Sequence, residues 1–154
     1  MLRTRIADDL KAAMKSKDSC KVSTLRLILA ALKDRDIAAR SANNRTEMND
    51  ARILDLLNTM VRQRQDSIRL YEQGGRLDLA EQEAQEIAVI ESYMPEQLDE
   101  GEIDQAVRAV IDEVGACGVK DMGRTMAALK QNYAGRMDFS KASGFVKGYL
   151  TSAA

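Results

Sequence analysis

The 154-residue sequence predicts an all-α protein of four helices followed by three shorter ones. Apolar residues recur at three- and four-residue spacing in seven successive segments, capping residues stand ahead of several of them, and no segment reads as a strand. Pro95, the only proline, follows the fourth apolar stripe, so 1–95 reads as an N-terminal helical domain and 96–154 as a small three-helix one.

The elements follow in order. In the first, Leu2, Ile6, Leu10 and Ala13 or Met14 share one face, which predicts an amphipathic helix over 2–15. Asp18 or Ser19 can cap the second. It carries Val22, Leu25, Ile28, Leu29, Leu32 and Ile37 inward, and Lys21, Arg26, Lys33, Arg35 and Arg40 toward water, as far as about Arg40. Asn43 and Asn44 mark a turn, after which Thr46 or Asn49 starts a third helix through Ile53, Leu57, Met60, Val61, Ile68 and Tyr71 to about Gln73. Gly74 and Gly75 end it. Asp78, with Glu81 three residues on, resembles a capping box for a fourth helix through Ala84, Ile87, Ile90 and Met94.

Beyond Pro95, Asp99 and Glu102 can cap a fifth helix bearing Ile103, Val107, Val110, Ile111 and Val114, closed by Gly115 and Gly118. A sixth starts near Lys120 or Asp121, turns Met122, Met126 and Leu129 to a core, and ends at Ala134 and Gly135. Asp138 caps the last. There Phe139, Ala142, Phe145, Val146, Tyr149 and Leu150 hold the period and leave Lys141 and Lys147 outside. Of the eight methionines, Met60, Met122 and Met126 fall on apolar stripes, which makes them core fillers rather than an adaptable binding groove.

Composition excludes much chemistry. There is no His, which removes Ser-His-Asp and Cys-His catalysis and imidazole metal ligands together. Cys20 and Cys117 lie far apart with no CxxC partner and read as reduced thiols. No Gly-rich loop follows a strand, so neither phosphate-cradling motif is present. Carboxylates cluster at Glu81, Glu83, Glu86 and Glu91 and again at Asp99 to Asp104, yet without the spacing of a calcium loop or the Glu-x-x-His pairs of a di-iron bundle. No cofactor and no metal are expected. No stretch approaches the roughly 20 apolar residues that cross a bilayer. With reduced thiols and no apolar run at the N-terminus, these features lead to the expectation of a soluble cytoplasmic protein.

Net charge is only −1, but the sum conceals blocks. Residues 1–45 carry eleven Lys/Arg against five Asp/Glu, 46–95 five against ten, 96–117 one against seven, and 118–154 six against two. The last block is therefore basic, and its cations are Lys120, Arg124, Lys130, Arg136, Lys141 and Lys147. Lys130, Arg136, Lys141 and Lys147 are interleaved with Tyr133, Phe139, Phe145 and Tyr149, a combination that could hold phosphates while aromatic rings stack on bases, although helical spacing assigns both Phe to the core. A solvated helical face is the competing reading of the same charges.

The chain resembles the GatB/YqeY family along nearly its whole length. The likeness rests on Ala31-Leu32-Lys33, on Gly75-Arg76-Leu77-Asp78-Leu79, on Tyr93-Met94-Pro95-Glu96-Gln97-Leu98, and on Met122-Gly123-Arg124 with Gly135-Arg136-Met137-Asp138. Met94 stands where the family commonly has Leu, and Met137 and Phe139 replace its commoner Ala and Gly. The resemblance implies a stand-alone helical protein similar to the tail of the B subunit of the tRNA-dependent amidotransferase, which contacts tRNA. It implies association with a carbon-nitrogen ligase that uses glutamine as amide donor, through parts this chain does not contain. The expectation is thus a non-catalytic tRNA-binding accessory whose six cations make the phosphate contacts. Its partners would be tRNA, with an aminoacyl-tRNA synthetase or amidotransferase components beyond it. A helical protein-protein adaptor and a cryptic enzyme with a buried, shifted Lys or carboxylate are the alternatives.

Overall fold

The computed structural model describes residues 1–42 and 48–152, and all regular structure among them is helical. The chain divides into two compact units, Met1–Pro95 and Glu96–Ala154.

The first unit holds α1 (Leu2–Ser16), α2 (Ser19–Ser41), α3 (Asp50–Gln73) and α4 (Leu77–Glu91). Capping is local where a short polar side chain stands at the right place. Asp18 accepts from the Lys21 backbone N–H at 3.1 Å, and Asn49 accepts from that of Arg52 at 3.0 Å. The expected turn at Asn43-Asn44 and the alternative start at Thr46 lie outside the described residues. Gly75, at φ 72°, closes α3 in the left-handed conformation that costs glycine nothing. The Arg76 N–H then reaches back to the Tyr71 carbonyl at 2.8 Å.

The fourth helix departs from expectation at its start. It opens at Leu77 with Arg76 as the flanking residue and no side-chain cap. Asp78 sits inside the first turn and pairs with Arg76 at 3.2 Å, which holds its carboxyl below the usual carboxylate range. The expected capping box with Glu81 does not form. Helix α1 packs on α2, α3 on α4, and α4 on α2. Between them lie the fully buried Ile6, Leu25, Ile28, Leu32, Leu57 and Ile90. Two expected inward residues face out instead: Ile37 is 51% exposed, and Ala84 is exposed as well.

Among the described residues, no buried side-chain nitrogen or oxygen of this unit lacks a partner. Thr24 donates to the Cys20 carbonyl at 2.8 Å. The Tyr93 hydroxyl donates to Asp9 at 2.6 Å while the Arg5 guanidinium lies 5.0 Å from the centre of its ring. Burial, and then the Asp9 carboxylate, push that phenol far above its ordinary pKa. Arg64 Nε meets the buried Glu86 at 3.0 Å, tying α3 to α4.

The second unit holds α5 (Glu100–Val114), a 3₁₀ turn (Val119–Asp121), α6 (Met122–Asn132) and α7 (Phe139–Ser152). Its core is built on Ile103, Val107, Val110, Leu129, Val146 and Leu150, with Met122 and Met126 packed against it. Asp99 and Glu102 form the expected capping box, with the Glu102 N–H on Asp99 at 2.8 Å and the Asp99 N–H on Glu102 at 3.3 Å. Asp99→Ala should cost about 1 kcal/mol of stability, measured by chemical denaturation; no change in midpoint would show that the helix end is held by other means.

Candidate nucleic-acid interface

The six cations expected to hold RNA divide by what surrounds them. Arg124 pairs with Asp121 at 3.3 Å on the same helical turn. Asp121 also accepts from the Cys117 backbone N–H at 2.9 Å, and that bond, with Arg124 and Lys120 nearby, keeps its carboxyl low. Arg136 is half-buried, and its Nε donates to the Glu96 carbonyl at 3.4 Å. It belongs to a latch. In the same place the Leu98 N–H meets the Arg136 carbonyl at 2.8 Å, and Gln97 donates to the Gly135 carbonyl at 2.6 Å. Gly135 makes this turn possible at φ 74°. Lys130, Lys141 and Lys147 are exposed, and their side chains make no ion pair or hydrogen bond among the described residues.

Helical phase separates these lysines. Lys141 and Lys147 stand six residues apart on α7, which at 3.6 residues per turn places them about 120° apart around the axis. The same spacing separates Arg124 from Lys130 on α6. Among the six, Lys141 lines a groove of about 610 Å³ that runs along the outer face of α7. Gly144, Phe145, Gly148 and Tyr149 follow it at the three- and four-residue spacing of one helical stripe, and Glu100 of α5 stands beside them.

This face lies away from the core stripe of Ala142, Val146 and Leu150. Phe145 and Tyr149, expected in the core, pack against it with one side and remain half-exposed on the other. Tyr149 is held in place from α5. Arg108 Nε donates to its hydroxyl at 2.7 Å, the hydroxyl donates to Asp104, and Asp104 pairs with Arg108 at 3.2 Å. The Arg108 guanidinium also lies 5.1 Å from the ring centre. The sequence signal for this clamp was the Asp104–Arg108 spacing of four, which by itself reads as a surface ion pair.

Among the described residues, nothing in the packing requires the two glycines of the stripe. Each costs a helix about 0.5–1 kcal/mol relative to Ala, yet a Cβ at Gly144 or Gly148 would meet no atom within 4 Å. They leave backbone bare on an open face. The unit as a whole carries seven basic and nine acidic groups, and in it the acidic α5 packs against the basic α6 and α7.

Comparison with known proteins places this architecture. Residues 3–150 match the family described as Yqey-like protein (YqeY). The chain belongs to the YqeY-like family. Among curated relatives it resembles the altered inheritance of mitochondria protein 41 of three yeasts. Against that of Lachancea thermotolerans it is 32% identical over 108 residues, which is 69% of this chain and 56% of the relative. The Vanderwaltozyma polyspora protein is 29% identical, covering 74% of this chain and 63% of its own length. The Candida glabrata protein is 38% identical over 57% of this chain and 47% of its own. This YqeY-like chain thus spans roughly half to three fifths of the length of these relatives. All three are named as mitochondrial proteins, which overturns the expectation of a cytoplasmic one.

Among the described residues, no helix is long and apolar enough to cross a membrane. No group of three or more Cys, Asp and Glu among them is placed to hold a metal ion.

Proposed function

We propose that this YqeY-like protein is a non-catalytic tRNA-binding accessory whose C-terminal unit holds the RNA along the outer face of α7. The reading rests on one arrangement: Lys141, the bare Gly144 and Gly148, and the half-exposed Phe145 and Tyr149 line a single groove. Lysine supplies phosphate attraction, helical glycines let a sugar-phosphate backbone approach closely, and a ring fixed in orientation offers a stacking surface. The chemistry in this reading belongs to an assembly. Carbon-nitrogen ligation with glutamine as amide donor would be carried out by amidotransferase components, with this chain supplying contact to tRNA or to a synthetase that carries it.

Lys141→Gln tests the reading. Titration of tRNA over a range of salt concentrations should show weaker binding and a salt slope lower by about one unit. Binding that ignores salt, or no binding at about 50 mM salt, overturns it.

A protein-protein adaptor is the second reading, favoured by the excess of acidic over basic groups in the folded unit that carries the groove. Pull-down from lysate with and without nuclease separates the two. Partners lost after nuclease favour RNA, and partners retained favour the adaptor.

A further inference from the structure

Helix α2 carries a second stripe that is only partly covered among the described residues, with Ala31 packed against the core and Leu27 and Ala38 open. Its core face holds Leu25, Ile28 and Leu32, whereas Leu27, Ala31, Asp34 and Ala38 stand at spacings of four, three and four along another. Those four residues, with Arg35, form one wall of a groove of about 520 Å³ whose other wall is Leu56, Thr59, Met60, Gln63 and Arg64 of α3. Leu27 is 48% exposed. A four-three-four spacing is the seam of two helices packed side by side, and alanines in the seam allow close backbone approach.

Two charges in this wall have no partner on their own helix. Asp34 and Arg35 are adjacent, so their side chains diverge around the helix and do not face each other. The positions where each could find a helical partner are 30, 31, 37 and 38 for Asp34, and 31, 32, 38 and 39 for Arg35. All are Ala, Leu or Ile. Neither charge makes an ion pair or hydrogen bond among the described residues. An acid and a base therefore stand side by side on this face, both exposed and neither in an ion pair among the described residues, while Arg64 across the groove is engaged by Glu86.

We infer that the occupant of this groove is a second copy of the same chain, with the two α2 helices antiparallel about a two-fold axis passing between Asp34 and Arg35. That symmetry sets Asp34 of one copy opposite Arg35 of the other, twice, and Ala31 opposite Ala38, twice. Both orphaned charges are answered by one operation. A parallel pairing would instead set Asp34 against Asp34 and is disfavoured by like-charge repulsion. The inference concerns the first unit only and does not depend on RNA binding by the second.

Sedimentation equilibrium of the full chain at about 100 μM should report twice the 17.1 kDa of one chain, for a dissociation constant in the micromolar range. Asp34→Arg and Arg35→Asp should each weaken self-association at least tenfold, with thermal melting of the monomer unchanged. Mixing the two variants should restore a dimer, because the adjacent pair of arginines in one variant then faces the adjacent pair of aspartates in the other. A wild-type chain that stays at monomer mass overturns the inference. So does either variant dimerising as the wild type does, or a mixture that remains monomeric.

Discussion

Val107→Asp unfolds the C-terminal unit and leaves the N-terminal one folded. Val107 is fully buried among Ile103, Val110, Leu129, Val146 and Leu150, and no cation is part of that cluster. The substitution forfeits the valine's burial and places a carboxylate where nothing solvates it, a combined cost of about 4 kcal/mol or more. A unit of this size has a total stability of only a few kcal/mol. Because each unit has its own core, unfolding should not be two-state. Far-UV ellipticity should fall by about a third, the share of helical residues in α5, α6 and α7, while the transition of the first unit persists. Full helicity with unchanged melting would mean that this face of α5 is not a core face.

Arg64→Ala comes next in expected effect, at about 2–3 kcal/mol, and acts on the first unit. The Arg64 and Glu86 side chains are 13% and 12% exposed, so both charges have given up most of their water. Arg64 also donates to the Met60 carbonyl at 3.2 Å. Removing the arginine strands the Glu86 carboxylate beside Glu83, whose pKa is already raised by burial and then by Glu86, and which Arg64 pulls down. The sign with pH follows. A carboxyl whose folded pKa lies above its unfolded one costs stability while it is charged, and that cost is relieved as pH falls through the folded value. The deficit of the variant should therefore shrink on going from about pH 7 toward about pH 5 in urea titrations. Replacing both partners, Arg64→Met with Glu86→Leu, should recover most of the loss, since an apolar pair leaves no charge to strand. A loss under about 0.5 kcal/mol would show that water reaches the pair and screens it.

The helix boundaries were legible wherever a cap is made by a residue's own neighbours. Asp18, Asn49 and Asp99 cap their helices through backbone groups three positions away, and Gly75, Gly115 and Gly135 take the positive φ that ends or turns the chain. Asp78 with Glu81 shows the limit of that reasoning. The spacing matches a capping box, but the turn at Gly75 brings the chain into the helix two residues early, and Asp78 answers Arg76 instead. Periodicity met a similar limit on α2. Two apolar stripes share that helix, and nothing within it says which of them finds α1 and α4; the expected inward Ile37 is exposed, and Leu27 and Ala31 line an open groove.

The functional surface was legible only in outline. The basic block at 118–154 is real as sequence, yet in the folded unit it lies against an acidic helix, and Arg124 and Arg136 have taken partners within the chain. The clamp on Tyr149 joins residues 41 and 45 positions apart, and the groove adds Glu100 from a different helix. By itself the sequence determined how many helices form, where most of them start and stop, and that histidine chemistry has no place here, because caps, glycine turns and composition act within a few residues. Only the tertiary structure decided which stripe of each helix is buried, which cations remain unpaired and which share a face, because those outcomes depend on the helix that packs alongside, and that neighbour is distant in the chain.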